Sequence, residues 1–314
     1  MQPQFRVVVW GEFPHATDDP MAHAELFVYV NGRILPRGEA LVSAFDRGLL
    51  YGDGIFETMR AYQGVIFRLD YHVRRLRESA GELRIPLPVP DGELADAAQE
   101  LVRRNGLQEA YVRITLTRGL HAGSLALDTQ QPPTLLIDCR PITPPSPENN
   151  RQGISLGASR YLRHRSSRMA RHKTLSYLDN LLILDEARAG GSRDAIILAD
   201  NGLVCECATA NIFLILDDEV RTPTAKLPLL NGITRQVVLE LCRKLELKVL
   251  EDKFDLDDVI DADEVFITNS IIEVLPVGEV TARTIGCCPG PVTERIRQAY
   301  ADEVRRFVAE FRTR

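Results

Sequence analysis

The segment Leu230–Arg235 has the residue types that bind anions at the start of a helix. It reads Leu-Asn-Gly-Ile-Thr-Arg and is followed by an amphipathic pattern, so Gly232 precedes the predicted helix and Thr234 lies in its first turn. The first N–H groups of a helix lack intrahelical partners, and the helix dipole favours negative charge there. The segment therefore predicts either a phosphate site or an ordinary helix start.

Three arginines stand where a charged side chain could hold an anionic ligand. Arg75 belongs to a predicted helix and is either solvated or a forked clamp for phosphate. Arg60 and Arg113 each lie between apolar residues of predicted strands. Strand alternation directs such residues either into a pocket, where arginine suits a substrate carboxylate, or to an exposed edge. The residues by themselves leave these alternatives open.

Glu206 is an isolated acid in an apolar strand, and Lys173 stands just ahead of a predicted helix. Glu206 is flanked by cysteine on both sides, with alanine beyond. Because burying an unpaired carboxylate is costly, Glu206 needs a partner, which is either a nearby arginine or a protonated ring nitrogen. A lysine at such a position is usually solvated, so position alone assigns no chemistry to Lys173.

Two further patterns come close to cofactor and metal motifs without matching them. The run Gly52–Glu57 starts like a dinucleotide-binding motif, but its sixth residue is Glu and no strand–helix unit surrounds it. We expect its glycines to let the chain bend between strands. Cys205 and Cys207 are separated by one residue, which is too few for a zinc knuckle, and no matching pair follows. We therefore predict no dinucleotide and no metal.

Turn residues and hydrophobic periodicity predict the elements that position these side chains. Asn31 and Gly32 favour a type I′ turn between strands 27–30 and 33–35, because both residues tolerate a positive φ. The other elements predicted in this half are a hairpin of strands 54–62 and 65–69, helices over 69–83 and 91–105, the second with Asp91 as its N-cap, and strands 111–117 and 134–139.

Four prolines within residues 141–150 predict a linker without helix or strand. Beyond it, the pattern predicts strands over 155–161, 195–199, 203–207, 211–216, 219–222 and 264–268, and helices over 176–189, 233–245 and 291–311. Hairpin-joined strands mix with helices, so we predict two mixed α/β domains with largely antiparallel strands. They span 26–140 and 151–314, after an extension over residues 1–25.

Composition and charge are those of an ordinary globular protein. The 314 residues carry 38 Lys and Arg against 44 Asp and Glu, a net charge of −6, which argues against a basic nucleic-acid binder. No apolar run reaches the roughly 18 uncharged residues of a membrane span, and no signal-peptide pattern is recognised. Six cysteines in a chain of this length do not form a disulfide scaffold, so we expect a cytoplasmic protein with reduced thiols.

Several motifs, in a fixed order along the chain, resemble those of class IV pyridoxal-phosphate enzymes. This group comprises branched-chain aminotransferases, D-amino-acid aminotransferases and aminodeoxychorismate lyases. The resemblance covers about residues 28 to 311. The matching motifs are DRGLLYGDGIFETMRAY, FRLDYHVRRL, YVRITLTRG, HKTLSYLDN, CECATANIF, LNGITRQVV and EVFITNSIIEVLPV.

The resemblance implies a role for each matching residue. Lys173 matches the lysine that forms the internal aldimine with pyridoxal 5′-phosphate, Glu206 the partner of the pyridine nitrogen, and Tyr177 the tyrosine at the phenolic oxygen. The phosphate cup corresponds to Arg75, Gly232, Ile233, Thr234, Asn269 and Ser270. The substrate pocket corresponds to Phe56, Thr58, Arg60, Tyr111, Arg113 and Ile271.

The resemblance also implies a fold and an assembly. The family fold has a small mixed α/β N-terminal domain and a larger C-terminal domain with a pseudo-barrel of antiparallel strands. We expect a homodimer in which the loop Arg118–Pro133 of one subunit closes the pocket of the other. The expected ligands are small amino and oxo acids, with neither nucleic acid nor membrane as a partner.

The residues near the substrate favour an L-amino-acid aminotransferase of branched-chain type with 2-oxoglutarate as amino acceptor. Tyr111-Val-Arg113 matches the branched-chain pattern, and the loop after Gly119 lacks the Arg-x-His pair of D-amino-acid enzymes. Thr58 and Thr268-Asn-Ser270 are closer to aminodeoxychorismate lyases, which form 4-aminobenzoate and pyruvate and are the alternative. A non-catalytic scaffold is disfavoured, because such a protein is expected to have lost Lys173 or Glu206.

Overall fold

The structure is a computed structural model that describes residues 26–127, 130–142 and 144–313. The extension predicted over residues 1–25 lies outside the described residues. The described chain forms two sheets, one of six and one of nine strands. Residues 27–141 supply the first sheet and residues 154–284 the second. The chain therefore changes from one sheet to the other close to the proline-rich segment.

Residues 27–141 fold into an antiparallel sheet with helices packed on one face. Its elements are β1 (Phe27–Val30), β2 (Arg33–Pro36), α1 (Arg47–Tyr51), β3 (Gly54–Tyr62), β4 (Val65–Ile66), α2 (Leu69–Glu82), α3 (Asp91–Arg104), β5 (Ala110–Thr117) and β6 (Thr134–Pro141). The strand order is β2-β1-β6-β5-β3-β4. β5 thus lies between its two long antiparallel partners, β3 and β6.

The two faces of this sheet have different surroundings because side chains alternate along each strand. In β5, Val112 and Ile114 are fully buried in the core beneath α2 and α3. Tyr111 and Arg113 alternate with them and are half-buried on the other face. Since β3 and β5 pair in register, their outward side chains form one continuous surface. That surface is free to form the wall of a cavity.

The strands and helices predicted for this sheet are present, and their ends differ from the predicted ends by a few residues. Asn31 and Gly32 adopt φ values of 46° and 88°, as the predicted type I′ turn requires. The predicted N-cap at Asp91 is wrong, because the helix begins at that residue and Pro90 occupies the cap position. Proline fixes an extended backbone there without a side-chain cap.

The predicted linker is partly helical. β6 extends to Pro141, and α4 occupies Pro147–Gln152. The side chain of Ser146 accepts a hydrogen bond from the Asn149 amide, and Pro147 takes the first helical position, where its missing N–H costs nothing. Proline content alone therefore misses this short helix, because proline breaks helix interiors but favours helix starts.

The second half of the chain forms a mixed sheet with helices around it. Its elements are β7 (Ile154–Ala158), α5 (Leu178–Ala189), β8 (Asp194–Leu198), β9 (Val204–Cys207), β10 (Asn211–Leu216), β11 (Glu219–Pro223), α6 (Ile233–Lys244), β12 (Val249–Asp252), α7 (Leu256–Ile260), β13 (Glu264–Asn269), β14 (Glu273–Val280), β15 (Arg283–Thr284) and α8 (Pro291–Arg312). The order is β12-β11-β10-β13-β14-β7-β8-β9, with β15 beside β14. Adjacent strands are mostly antiparallel, as predicted, but β12, β7 and β8 introduce parallel pairs.

The second sheet curls into a barrel-like shape because of its connectivity. β9 ends the strand order, whereas β10 lies near the opposite end, yet only residues 208–210 separate them. The Cys207 amide donates to the Ala210 carbonyl at 2.7 Å across this short connection. A flat sheet cannot satisfy both conditions. The curl brings the end of β9 and the start of β10 to one place.

Asp194 fixes this connection from β8. Its buried carboxylate accepts hydrogen bonds from the amides of Ala195 at 2.7 Å, Ala208 at 3.0 Å and Thr209 at 3.2 Å, and from the Thr209 hydroxyl at 2.6 Å. Burial raises the pKa of Asp194, and these donors oppose that rise. The carboxylate thus satisfies donors that the curled backbone would leave buried without partners.

Replacing Asp194 with alanine is expected to lower the free energy of unfolding by about 2–4 kcal/mol, because several buried donors lose their acceptor. Urea unfolding followed by circular dichroism measures the change. The exposed Asp261 serves as the control, and Asp261→Ala should stay within about 0.5 kcal/mol. Equal midpoints for the two variants would contradict the role of Asp194.

Candidate active site

A cavity of about 920 Å³ opens between the outer face of the first sheet and the curled end of the second. It gathers nearly all the candidate site residues. Those on its wall are Phe56, Thr58, Arg75, Tyr111, Arg113, Lys173, Tyr177, Glu206, Gly232, Ile233, Thr234, Asn269, Ser270 and Ile271. Residues from six different elements and their connections therefore converge on one space.

Lys173 reaches the cavity because its segment pairs with β3. The Phe56 amide donates to the Lys173 carbonyl at 2.8 Å, and the Leu175 amide donates to the Gly54 carbonyl at 2.9 Å. These bonds keep the chain extended, so α5 begins at Leu178 and not at the predicted residue 176. The Lys173 Nζ atom lies 4.5 Å from the centre of the Phe56 ring. The amine thus faces the wall of the first sheet.

The surroundings of Lys173 favour its neutral amine. Burial lowers the pKa to about 8, and the nearby Arg75 guanidinium adds to this effect, whereas Glu57 and Glu206 oppose it. About a tenth of the amine population is then neutral at pH 7. A neutral lysine amine is a nucleophile toward carbonyl groups and can accept a proton.

Glu206 lies at the curled end of the second sheet, where it receives several donors. Arg163 Nη1 donates to Oε1 at 2.5 Å, while the Leu230 amide at 3.2 Å and Asn211 Nδ2 at 3.3 Å donate to Oε2. Burial raises the pKa of Glu206, and Arg163 and the Leu230 amide oppose the rise. The arginine partner considered from the sequence therefore exists, and the carboxylate also faces the cavity.

The start of α6 supplies free N–H donors. The first intrahelical bond runs from the Gln236 amide to the Gly232 carbonyl, so the amides of residues 233–235 have no partner within the helix. Glycine is required at 232 because a Cβ there would collide with the Asn211 side chain. The buried Thr234 adds a hydroxyl in the first turn. This end of the cavity therefore attracts an anion.

Arg75 points toward the same end and is held by a carboxylate beneath it. Its Nε and Nη2 atoms each donate to Glu57 at 2.7 Å, and Nη1 donates to the Asn231 carbonyl at 3.0 Å. A guanidinium has five N–H donors, so one on Nη1 and one on Nη2 remain. Both remain available to an oxyanion that binds at this end of the cavity.

Glu57 and His72 form a buried cluster that the sequence analysis did not single out. His72 Nδ1 lies 2.8 Å from Glu57 Oε2, and both side chains are 2% exposed. Burial by itself raises the pKa of Glu57, but Arg75 and then His72 outweigh it and lower the pKa to about 2. Burial lowers the pKa of His72, which favours a neutral ring that donates from Nδ1. The sequence signal that could have identified this cluster is Glu57 itself, a single acid among the residues of β3 that face the core.

Tyr177 and Asn269 also make contacts of their own at the cavity. The Tyr177 hydroxyl donates to the Ala208 carbonyl at 3.1 Å, and burial raises the pKa of this phenol. Asn269 Oδ1 accepts hydrogen bonds from the backbone amides of Ile271 and Ile272, both at 2.9 Å. The Asn269 side chain therefore shapes the turn between β13 and β14.

Arg60 lies outside the cavity, unlike the other candidates. Its Nη1 atom donates to Glu273 at 2.9 Å, its Nη2 atom donates to Glu109 at 3.1 Å, and its guanidinium stacks over Tyr62 at 4.5 Å. β3 extends past the cavity at this point, where the start of β14 covers it. The charge of Arg60 is thus balanced by two carboxylates.

Arg113 presents a cation inside the cavity. Its Nε atom donates to the Thr115 hydroxyl at 3.1 Å, and its guanidinium lies 3.7 Å from the centre of the Phe56 ring. Within the described residues, no carboxylate oxygen lies within 4 Å of this guanidinium. Arg113 is therefore available to a carboxylate that enters the cavity.

The described part of the chain shows neither a metal cluster nor a membrane-spanning helix. No group of three or more His, Cys, Asp or Glu residues lies close enough together to hold a metal ion. No helix there is long and apolar enough to cross a membrane. What the cavity itself offers is an amine, carboxylates and a set of anion-binding donors.

Comparison with known families assigns this arrangement. The family model for amino-transferase class IV matches residues 54–280, which include every residue on the cavity wall. The chain belongs to the class IV aminotransferases. Class IV aminotransferases use pyridoxal 5′-phosphate, so the cavity is that of a pyridoxal-phosphate enzyme.

Relatives of this class IV aminotransferase have different activities. A putative branched-chain-amino-acid aminotransferase of Methanocaldococcus jannaschii is 36% identical over 88% of this chain and 95% of its own length. A D-alanine aminotransferase of Bacillus licheniformis is 34% identical over 88% and 96%. An aminodeoxychorismate lyase of Bacillus subtilis is 29% identical over 90% and 96%. Sequence similarity alone thus leaves the substrate open.

Solved structures of branched-chain aminotransferases have the same fold. The enzyme of Escherichia coli superposes with a TM-score of 0.85 at 30% identity, covering 88% of this chain and 94% of its own. This match supports the predicted two-part α/β architecture with a barrel-like second half. A similar enzyme, from T.th., with a TM-score of 0.82 and 31% identity over 89% of this chain and 94% of its own, was solved with N-(5′-phosphopyridoxyl)-L-glutamate.

The residues of the cavity fit pyridoxal 5′-phosphate on chemical grounds. Its aldehyde needs an amine with a neutral fraction, which Lys173 has. Its phosphate needs several N–H donors, and the start of α6 and the remaining N–H donors of Arg75 offer them. Its ring nitrogen needs a carboxylate to stay protonated, and Glu206 faces the cavity. The donors, amine and carboxylate share one space.

The rate at which cofactor-free protein binds pyridoxal 5′-phosphate should rise with pH, because only the neutral amine of Lys173 attacks the aldehyde. With a pKa of about 8, its neutral fraction rises from about 1% at pH 6 to about half at pH 8. Stopped-flow absorbance near 400 nm measures the rate.

Glu57→Gln should move this profile to lower pH, because the Glu57 carboxylate favours the charged form of Lys173. The exposed Glu310→Gln is the matched control and should leave the profile in place. A rate without pH dependence between pH 6 and 9, or a profile that shifts to higher pH in Glu57→Gln, would contradict this account.

Proposed function

We propose that this class IV aminotransferase transfers the amino group of a branched-chain L-amino acid to 2-oxoglutarate. Arg113 carries the proposal, because it is a cation on an aromatic wall with no carboxylate of the described chain within 4 Å. A pocket that must accept glutamate or 2-oxoglutarate needs such a group for the second carboxylate. The same pocket must accept an aliphatic side chain, for which Phe56 provides an apolar surface.

In this proposal the cavity residues hold the cofactor at three points. Arg75, Ser270 and the amides and hydroxyl of residues 232–234 bind its phosphate, and Asn269 shapes the turn that presents Ser270. Glu206 keeps the ring nitrogen protonated, and Tyr177 faces the phenolic oxygen. When bound, the cofactor supplies an electron sink for the negative charge that develops at the substrate Cα. Anchoring at both ends fixes the ring against Lys173.

Lys173 has two tasks in the proposed reaction. It is the amine that carries the cofactor between turnovers, and it moves the proton to and from the substrate Cα once substrate has displaced it. Its lowered pKa suits both tasks, because a base with a pKa near the working pH is available in either protonation state. Phe56 and Tyr177 shield the amine from water on the sides where their rings lie.

Aminodeoxychorismate lyase activity is the alternative, and Thr58 favours it. Thr58 pairs with Arg113 across β3 and β5, and both residues line the cavity. A hydroxyl at this place could assist the leaving ring of a cyclic substrate, whereas transamination has no need for it. We favour transamination because the Arg113 guanidinium is free to bind a carboxylate. For D-amino acids, the loop after Gly119 lacks the Arg-x-His pair.

We further propose that the working unit is a cytoplasmic homodimer. Four large apolar side chains are exposed to solvent, namely Phe45 (69% exposed), Leu49 (71%), Leu125 (70%) and Leu178 (66%), and Leu178 stands between Tyr177 and Asp179 of the cavity lining. Hydrogen bonds join the segments that carry them, since the His121 amide donates to the Phe45 carbonyl and the Ser176 hydroxyl donates to the Gly52 carbonyl. Monomers rarely leave so much apolar surface exposed in one region, so a second copy of the chain is the proposed cover.

The Arg113→Ala variant should lose the glutamate half-reaction by about 100-fold in kcat/KM and the leucine half-reaction by less than about fivefold. The reason is that only glutamate presents a second carboxylate, whose charged hydrogen bonds are worth about 2–3 kcal/mol. Single-turnover absorbance changes of the cofactor measure each half-reaction. Formation of 4-aminobenzoate and pyruvate from aminodeoxychorismate by the unaltered enzyme, without reaction of any aliphatic L-amino acid, would establish the lyase instead.

Introducing a charge at the apolar surface should separate the proposed dimer. Leu49→Arg places a charge where a partner is expected, so sedimentation should show a shift from dimer to monomer with a loss of most activity. Phe311→Arg alters an exposed apolar residue on α8, away from this surface, and is the control. A fully active monomer would contradict the proposal.

A further inference from the structure

The face of the first sheet that carries Arg113 holds one more charged side chain beside it. In the register of β5 and β6, Arg113 is the direct partner of Asp138. Residues directly opposite in an antiparallel pair lie on the same face, with Cβ atoms about 4.5–5.5 Å apart. On its other side, Arg113 is the partner of Thr58 in β3. Asp138 therefore stands next to the cation to which we assign substrate binding.

Asp138 has several arginines nearby but forms no ion pair with any one of them among the described residues. It is half-buried, and burial raises its pKa, while Arg140, Arg113 and Arg37 oppose that rise in this order. Among the described residues, no hydrogen bond or ion pair within 4 Å engages its carboxylate. Arg140 stacks on the Tyr111 ring at 4.4 Å. The carboxylate thus has arginines nearby without a hydrogen bond or ion pair to any one of them in the part of the chain that the structure describes.

Three other carboxylates near the cavity are already paired, whereas Asp179 on the cavity lining is exposed to solvent and belongs to α5, outside the first sheet. Glu57 holds Arg75, and Glu206 holds Arg163. Glu273 holds Arg60. Asp138 is therefore the acid next to Arg113 in the sheet whose charge is available to balance it.

A pocket with a single arginine faces a conflict when it must accept two kinds of substrate. With glutamate, the second carboxylate neutralises the cation. With an aliphatic side chain, the cation is shielded from water without a counter-charge, which is costly. A carboxylate close by lowers that cost but competes with the substrate carboxylate for the same guanidinium. Its presence thus moves preference from dicarboxylic toward aliphatic substrates.

We propose that Asp138 is the residue that sets the balance between aliphatic and dicarboxylic substrates, by serving as the counter-charge of Arg113 whenever an aliphatic side chain occupies the pocket. This inference rests on the proposed branched-chain aminotransferase function. It assigns Asp138 a role through Arg113 and not through contact with the reacting atoms. The effect should depend on the charge of Asp138 and vanish without Arg113.

The test compares Asp138→Asn with Asp138→Glu in the holoenzyme. Single-turnover half-reactions with L-glutamate and L-leucine should change in opposite directions in Asp138→Asn. The ratio of their kcat/KM values should shift by about tenfold toward glutamate, whereas Asp138→Glu keeps the charge and should stay near the original ratio. Asp261→Asn, at an exposed site, is the matched control. An unchanged ratio, or an equal loss for both substrates, would overturn the proposal.

Two further measurements exclude a merely structural effect. Glutarate and 4-methylpentanoate do not react, and calorimetry of the holoenzyme should show the same shift in their relative affinities in Asp138→Asn. In an Arg113→Ala background, Asp138→Asn should no longer change either ratio, as a double-mutant cycle requires. A persisting shift in that background would overturn the inference.

The same measurements distinguish a failure of the proposed function from a failure of the role proposed for Asp138. An unaltered enzyme that reacts with neither L-leucine nor L-glutamate refutes the branched-chain assignment, and the inference with it. An unaltered enzyme that reacts with both, together with an unchanged ratio in Asp138→Asn, refutes only the role of Asp138.

Discussion

Two backbone hydrogen bonds between β3 and the segment around Lys173 hold the active site together. They join Phe56 to Lys173 and Leu175 to Gly54, and so connect the second half of the chain to the wall of the first sheet. Neither bond uses a side chain, but the approach needs a glycine at 54, because a Cβ there would meet the Leu175 side chain and the Leu116 carbonyl at about 2.6–2.7 Å. This pairing fixes the distance between the Lys173 amine and the wall that the first sheet provides.

The electrostatics of the site follow from burying several charges in one cavity. Two buried acids each pair with an arginine here: Glu206 on the cavity wall pairs with Arg163, and Glu57 on the core face of β3 pairs with Arg75. Such pairs contribute little net stability, but an unpaired member would be strongly destabilising. Perturbed pKa values are therefore expected here, and that of Lys173 is lowered because burial and Arg75 outweigh the acids.

Arg113 is the exception to this pairing, and the proposed choice of substrate depends on it. The same class of fold occurs in branched-chain and D-alanine aminotransferases and in aminodeoxychorismate lyases. A shared fold does not determine which of these reactions a member performs, so the substrate choice proposed here rests on particular side chains of the first sheet. Thr58, Arg113 and Asp138 stand side by side across three strands.

Local interactions determined what the sequence alone could predict. The turn at Asn31 and Gly32, the long helices and the glycine ahead of α6 depend on neighbouring residues, and so does the order of motifs that identifies the family. β14 was missed because Pro276 and Gly278 interrupt its pattern. The strand forms because it pairs with β13 and β7, with a shift of register at Val277–Glu279.

Only the tertiary structure decided the direction of the charged side chains. Arg60 and Arg113 both lie between apolar residues on neighbouring strands. Arg60 nevertheless lies outside the cavity, where it donates to Glu273, which is 213 residues away in sequence. Glu57 finds Arg75 because α2 packs over β3. Periodicity predicts which face of the sheet a side chain occupies. Which oppositely charged group lies at that face depends on how distant segments pack together.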